Sequence, residues 1–140
     1  RSIQKGNIKE KVIVQAGYSL GKYQSKNMEM FNLIDRYEFS KLVSECNLLI
    51  THGGVGSIIE GLNNNKKIIA VARLKKYGEH DNDHQVQLIN NFSEEGYIIG
   101  VTDFDTLDDV LEKAKKFKPK KMKKKQNNMK KIIVAFIDSI

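Results

Sequence analysis

The chain has 140 residues, of which 40% are hydrophobic, one cysteine and a formal net charge of +7 at pH 7. The charge is unevenly spread: Lys113 to Lys131 holds 11 lysines and no acid, leaving 13 basic against 17 acidic residues elsewhere. These features fit one domain with a real core, exclude an internal disulfide and a bilayer span of ~20 apolar residues, and argue against a dedicated nucleic-acid reader.

Lys11 to Ala16 is an apolar, β-branched run ending at Gly17 and predicts a buried strand. Met28 to Ile34 alternates loosely and predicts a second, short strand. Asp35 to Glu45 has helical spacing through Phe39, Leu42 and Val43, with Asp35 as N-cap. Cys46, on the same helical stretch among apolar residues, reads as an inert buried thiol. Leu48 to Thr51 and Lys67 to Ala72 are near-continuous apolar runs, as strands buried on both faces are. Asp81 to Glu95 predicts a helix with Val86, Ile89 and Phe92 at helical spacing, stopping at Gly96. Tyr97 to Val101 predicts a last short strand. Asp105 to Phe117 predicts a helix opened by a carboxylate and closed by lysines, which matches the macrodipole. Pro119 and the lysine run break it, and Met129 to Ile140 predicts a final apolar helix. The alternation gives an α/β fold with a Rossmann-like, doubly wound parallel sheet. Residues 1–118 form the folded unit and 119–140 a basic segment with an apolar helix. The lysine tract suits either an anionic leaflet or a solvated tail. The chain starts at Arg1 without an initiator methionine, and so reads as a fragment or a trimmed chain.

The segment Thr51-His52-Gly53-Gly54-Val55-Gly56-Ser57 ends a strand, turns and enters a helix. Such a turn makes an anion site, because free backbone N–H groups and the helix dipole point at one spot. Ser57 and Glu60 follow one turn apart, opposite the apolar triplet Ile58, Ile59 and Leu62. A diphosphate at the glycines leaves Glu60 roughly 6 Å down the helix, at 1.5 Å per residue, which is the reach of a ribose. A Walker loop is excluded, since no lysine follows Gly56. The dinucleotide fingerprint fails at Ile59, where its third glycine belongs. Packing alone also produces glycine-rich turns of this kind.

A second polar cluster, Arg73 to Gln85, follows the next predicted strand. Ligands in parallel sheets bind beyond the carboxyl ends of strands, so the two segments converge on one rim. Asp83, His84 and Gln85 open the following helix, and a carboxylate with an amide suits sugar hydroxyls. The plainer reading makes Asp81 or Asp83 an N-cap. His80 and His84 with Asp81 and Asp83 also sketch a zinc site, but no H-E-x-x-H is present and no metal is expected.

Together these residues resemble the C-terminal domain of glycosyltransferase family 28, a GT-B nucleotide-sugar-binding domain. The matching residues are Thr51 to Ser57 with Glu60, then Lys76-Tyr77-Gly78-Glu79-His80 and Asp83-His84-Gln85, with Gln15 to Ser19 as a further likeness. The resemblance is closest to the small subunits of two-component UDP-sugar transferases. One group of these acts on dolichol-linked chitobiose, and bacterial relatives build capsule and exopolysaccharide. It implies that His52, Gly53, Gly54, Val55, Gly56 and Ser57 hold the UDP diphosphate and that Glu60 holds the ribose. Glu79, His80, Asp83, His84 and Gln85 would meet the donor sugar. It implies an inverting, metal-independent transfer without a cofactor, to a lipid-linked acceptor. The enzyme would work with a membrane-anchored partner at the cytoplasmic face, and nucleic acid is no ligand. No residue of this chain is singled out as the base. A non-catalytic UDP-sugar-binding module of such a complex is the alternative. Family members open with a strand and loop of the type V-T-V-G-T, and this chain lacks them.

Overall fold

The computed structural model describes residues 6, 8–17, 21, 24–52, 54–72, 84–101 and 105–122. The chain forms two compact units, Arg1–Leu42 and Val43–Ile140. In the first, β1 (Val12–Gln15) and β2 (Met28–Phe31) pair in parallel, with Val12 opposite Met28. β1 alternates between half-buried and exposed positions, and Ile13 is 40% exposed. The expected strand is therefore present but not buried on both faces, because β-branched residues favour a pleated backbone whichever side is covered. α1 (Arg36–Glu45) starts in this unit. Glu38 N donates to Asp35 Oδ1 at 2.8 Å and Phe39 N to Asp35 O at 3.0 Å, which makes Asp35 the N-cap.

The second unit carries three parallel strands in the order β3 (Leu48–Thr51), β4 (Lys67–Val71) and β5 (Ile99–Val101). α2 (Val55–Asn63) links β3 to β4, α3 (His84–Glu94) lies between β4 and β5, and α4 (Leu107–Lys116) follows β5. Side chains alternate across β4. Ile68 and Ala70 join Ile58 and Leu62 of α2 and Leu88, Ile89 and Phe92 of α3 in one core. Ile69 joins Ile99, Val110 and Ala114 in a second core, under α4. Helices thus cover both faces of this sheet, as its sequence pattern predicts. Only the central strand is sealed: Ile68, Ile69 and Ala70 are inaccessible, whereas Ile50 on the edge strand β3 is 47% exposed.

Several boundaries differ from the sequence pattern for identifiable reasons. The buried stripe of α3 is Leu88, Ile89 and Phe92, while Val86 is half-buried. Val86 lies about 200° around the helix from Leu88, at 3.6 residues per turn, and cannot share its direction. β5 begins at Ile99 because Gly96, at φ +82°, reverses the chain, and Tyr97 N then donates to Phe92 O at 3.0 Å. Tyr97 and Ile98 close the helix end instead of extending the sheet, and the Tyr97 ring meets Phe92 edge-on, 6.3 Å between centroids. The cap of α4 is Thr106, whose Oγ1 accepts from Asp109 N. Asp105 pairs instead with Lys113. Cys46 falls just past α1. Burial pushes its thiol up from its ordinary value, and the nearby Lys66 only partly opposes this.

α2 approaches β4 closely at Gly61. A Cβ there would come within 2.7 Å of Ile68 Cδ1 and 3.0 Å of Leu49 Cδ2, so only glycine lets the helix sit this low. The first residues of the lysine tract are packed. Phe117 touches the second core, Met122 the first, and Lys120 N donates to Gly96 O at 2.9 Å. The helix expected over 129–140 lies outside the described residues. No helix among the described residues is long and apolar enough to cross a membrane.

Candidate functional site

β3 and β4 run in parallel with Thr51 opposite Ala70, so both strands end on one edge of the sheet. From that edge β3 leads through His52 and Gly54 into α2. β4 leads through residues 73–83, which lie outside the described residues, into α3. Because α2 and α3 share one core, their amino ends stand on the same face at this edge. His52, Gly54, Val55, Gly56, Ser57 and Glu60 therefore belong to one end of the sheet, together with His84 and Gln85. Gly53, Glu79, His80 and Asp83 lie outside the described residues, as do Lys76, Tyr77, Gly78 and Asp81, so of the sketched metal set only His84 is described.

The amino end of α2 is open. Its N-cap, Gly54, is extended at φ −66°, ψ 133°, and no side chain among the described residues caps the helix. The first intrahelical bond runs from Ile58 N to Gly54 O at 3.1 Å. The N–H groups of Val55, Gly56 and Ser57 precede it and point out of the helix end, with no acid in the first turn to occupy them. An oxyanion fits that position, held by N–H donors and the positive end of the dipole.

The φ of Gly54 is ordinary, so what matters is what a side chain there would meet, the exposed His52 ring. A Cβ there would lie 3.3 Å from His52 Nε2. The imidazole thus folds back over the turn, beside the amino end of α2. The sequence pattern gave no sign of this contact, which depends on how the chain turns after Thr51. Gly56 is different: a Cβ there meets nothing within 4 Å, and its face of the first turn is exposed. If a diphosphate covers that face, Gly56→Ala leaves folding intact or raises stability by up to ~1 kcal/mol, yet weakens nucleotide binding at least about fivefold through overlap. Thermal melting and a binding titration on the same variant check both halves.

Glu60 sits one turn below, half-buried. Its backbone carbonyl accepts from Asn64 N and Asn64 Nδ2. Among the described residues its carboxylate has no hydrogen-bond or ion-pair partner. The predicted division of α2 into two faces is only partly observed. Ile58 and Leu62 are buried and Ile59 half-buried, and the fully seated third residue is Gly61. His84 and Gln85, both half-buried, occupy the first two positions of α3.

The glycosyltransferase family 28 C-terminal domain matches residues 2–137 of the chain. Among solved structures the chain is similar to ALG13, known from an NMR solution structure. The identity is 24%, the TM-score 0.52, and the match covers 76% of this chain and 51% of that one. It is also similar to the glycotransferase of kitacinnamycin, at 18% identity and TM-score 0.49, over 74% of this chain and 25% of that one. The chain thus spans between a quarter and about half of these proteins, and the likeness to ALG13 bears on the fold alone. No curated protein matches it.

Proposed function

The chain belongs to the glycosyltransferase family 28 C-terminal domain family, and from that membership we propose that it is the donor-binding part of a UDP-sugar transferase. The observation that carries this reading is the open amino end of α2. Three N–H groups and, one turn below, the carboxylate of Glu60 stand at the carboxyl edge of a parallel sheet without a partner among the described residues. In this reading His52 to Ser57 take the diphosphate and Glu60 the ribose hydroxyls. Glu79, His80, Asp83, His84 and Gln85 take the sugar.

The chemistry follows from that placement. The acceptor hydroxyl attacks the anomeric carbon from the face opposite the diphosphate. The bond between that carbon and the phosphate oxygen breaks, and the electron pair leaves with UDP. A base removes the hydroxyl proton, and the anomeric configuration inverts. The charge that grows on the departing diphosphate meets N–H donors already aimed at it, which lowers the barrier without reorganisation. The chain's own donors thus supply the stabilisation for which other transferases use a metal.

The acceptor in this reading is a lipid-linked sugar in exopolysaccharide, capsule or glycolipid synthesis. The base comes from a membrane-anchored partner subunit, and the chain works peripherally at the cytoplasmic face. Calorimetric titration with UDP and a panel of UDP-sugars tests the donor half; no heat with any of them removes the proposal. Supplying the partner then separates a transferase from a module that only binds the donor. Gln85→Ala sharpens the assignment. Loss of one neutral hydrogen bond, worth ~0.5–1.5 kcal/mol, should weaken the UDP-sugar about 2- to 10-fold and leave UDP nearly unchanged. Equal losses for both ligands would make Gln85 a support of the whole edge and not a reader of the sugar.

A further inference from the structure

A concavity lies at the edge of the three-stranded sheet opposite the open end of α2, where the strands begin. The last turn of α2, the start of β4 and the segment leaving α4 enclose a groove of about 480 Å³. Seven of its eleven lining residues are lysines, which decides what charge it accepts. Lys66 and Lys67 are contributed from outside the C-terminal lysine tract. They are already committed: Lys66 Nζ donates to Ser44 O and Lys67 Nζ to Ala114 O, each at 2.8 Å. Lys115 pairs with Glu112, while Lys120 lies 3.9 Å from Glu95 and over the Tyr97 ring. Lys116, Lys118 and Lys121 are exposed and have no anionic partner among the described residues.

The occupant must be anionic, and the setting selects its kind. Among the described residues that line the groove there is no arginine, the fork that grips a single phosphate bidentately. Its one aromatic ring, Phe117, packs into the core under α4 and is not free to stack on a base. Lysines are point charges on flexible stems, suited to a diffuse negative surface. Between them Leu62, Phe117 and Pro119 form an apolar floor. Outside the tract acids outnumber bases, 17 to 13, so other surfaces are repelled by a negative plane while this pole is drawn to it.

We propose that this groove docks on an anionic phospholipid surface, with the lysine ammonium groups among headgroup phosphates. The docking deepens the peripheral membrane reading above and does not depend on UDP binding. It also fixes an orientation. The strands are parallel, and β4 is five residues long, so the open end of α2 stands roughly 16 Å farther from the lipid than the groove.

The test is co-sedimentation of the full chain with vesicles of phosphatidylcholine alone and of phosphatidylcholine with phosphatidylglycerol. Binding should require phosphatidylglycerol and disappear at ~1 M salt, where the screening length is about 3 Å. Joint replacement of Lys116, Lys118 and Lys121 by glutamine should lower the partition coefficient roughly 100-fold, about fivefold per lysine. UDP affinity in that variant should be unchanged, which keeps a fault at the donor site distinguishable from a fault here. Equal binding to neutral vesicles, or an unaffected triple variant, overturns the proposal. So does stoichiometric displacement by inorganic pyrophosphate, which marks a discrete phosphate pocket. Tighter retention on single-stranded RNA than on vesicles would assign the groove to nucleic acid instead.

Discussion

Glu60→Ala is expected to weaken UDP binding roughly 10- to 150-fold, the loss of a charge-assisted hydrogen bond worth ~1.5–3 kcal/mol. The carboxylate is half-buried, stands one turn below the open end of α2 and meets no partner among the described residues. A carboxylate accepts only, and two ribose hydroxyls donate, so the match is one of chemistry as well as reach. The bonds that anchor the carboxyl end of α2 use the backbone carbonyl of Glu60, which the substitution keeps. Folding should therefore survive, and Glu60→Gln, which retains one acceptor, should fall between wild type and alanine. Calorimetry on the folded variants checks this. An unchanged UDP affinity in Glu60→Ala would remove the residue from the ribose site.

Phe92→Ala should cost ~3–5 kcal/mol of stability, the usual penalty for truncating a sealed aromatic ring. Phe92 is inaccessible and meets Tyr97 edge-on, in the core where α2 and α3 pack on β4. The damage bears on the site as well, because that packing holds the amino ends of α2 and α3 on one face of the sheet. Val86→Ala on the same helix, at a half-buried position, should cost less than ~1.5 kcal/mol. Urea unfolding of both variants gives the comparison. Similar small losses would mean that the site does not depend on this core.

Much of the second unit was legible because its signals are local. The apolar runs at Leu48 and Lys67, the glycine turn after Thr51 and the stop at Gly96 each depend on neighbours in sequence. Asp35 capped its helix as its position implied, with Glu38 N bound to its carboxylate. What failed to show was set by tertiary contact. Whether a run such as Val12–Gln15 is covered on one side or two depends on what packs there. α4 carries Asp108 and Asp109 in its first turn and lysines in its last, as its charge pattern implied, but that Thr106 caps it is set by local geometry. The seat of Gly61 and the fold of His52 over Gly54 are close approaches that no periodicity encodes. The lysine tract read as one charged stretch, yet the groove also needs Lys66 and Lys67, some fifty residues away in sequence. The resemblance to the transferase family, carried by two short motifs, was legible in full, and the family match over residues 2–137 agrees with it.

The claim that this chain holds a nucleotide diphosphate at the open end of α2 is tested most directly by residue-resolved NMR. Amide signals of the full chain would be followed as UDP is added. The account predicts the largest shifts at His52, Gly54, Val55, Gly56 and Ser57, with Glu60 next, and little change from Lys116 to Lys121. Shifts concentrated on those lysines, or none at the glycine turn while UDP binds elsewhere, would contradict it.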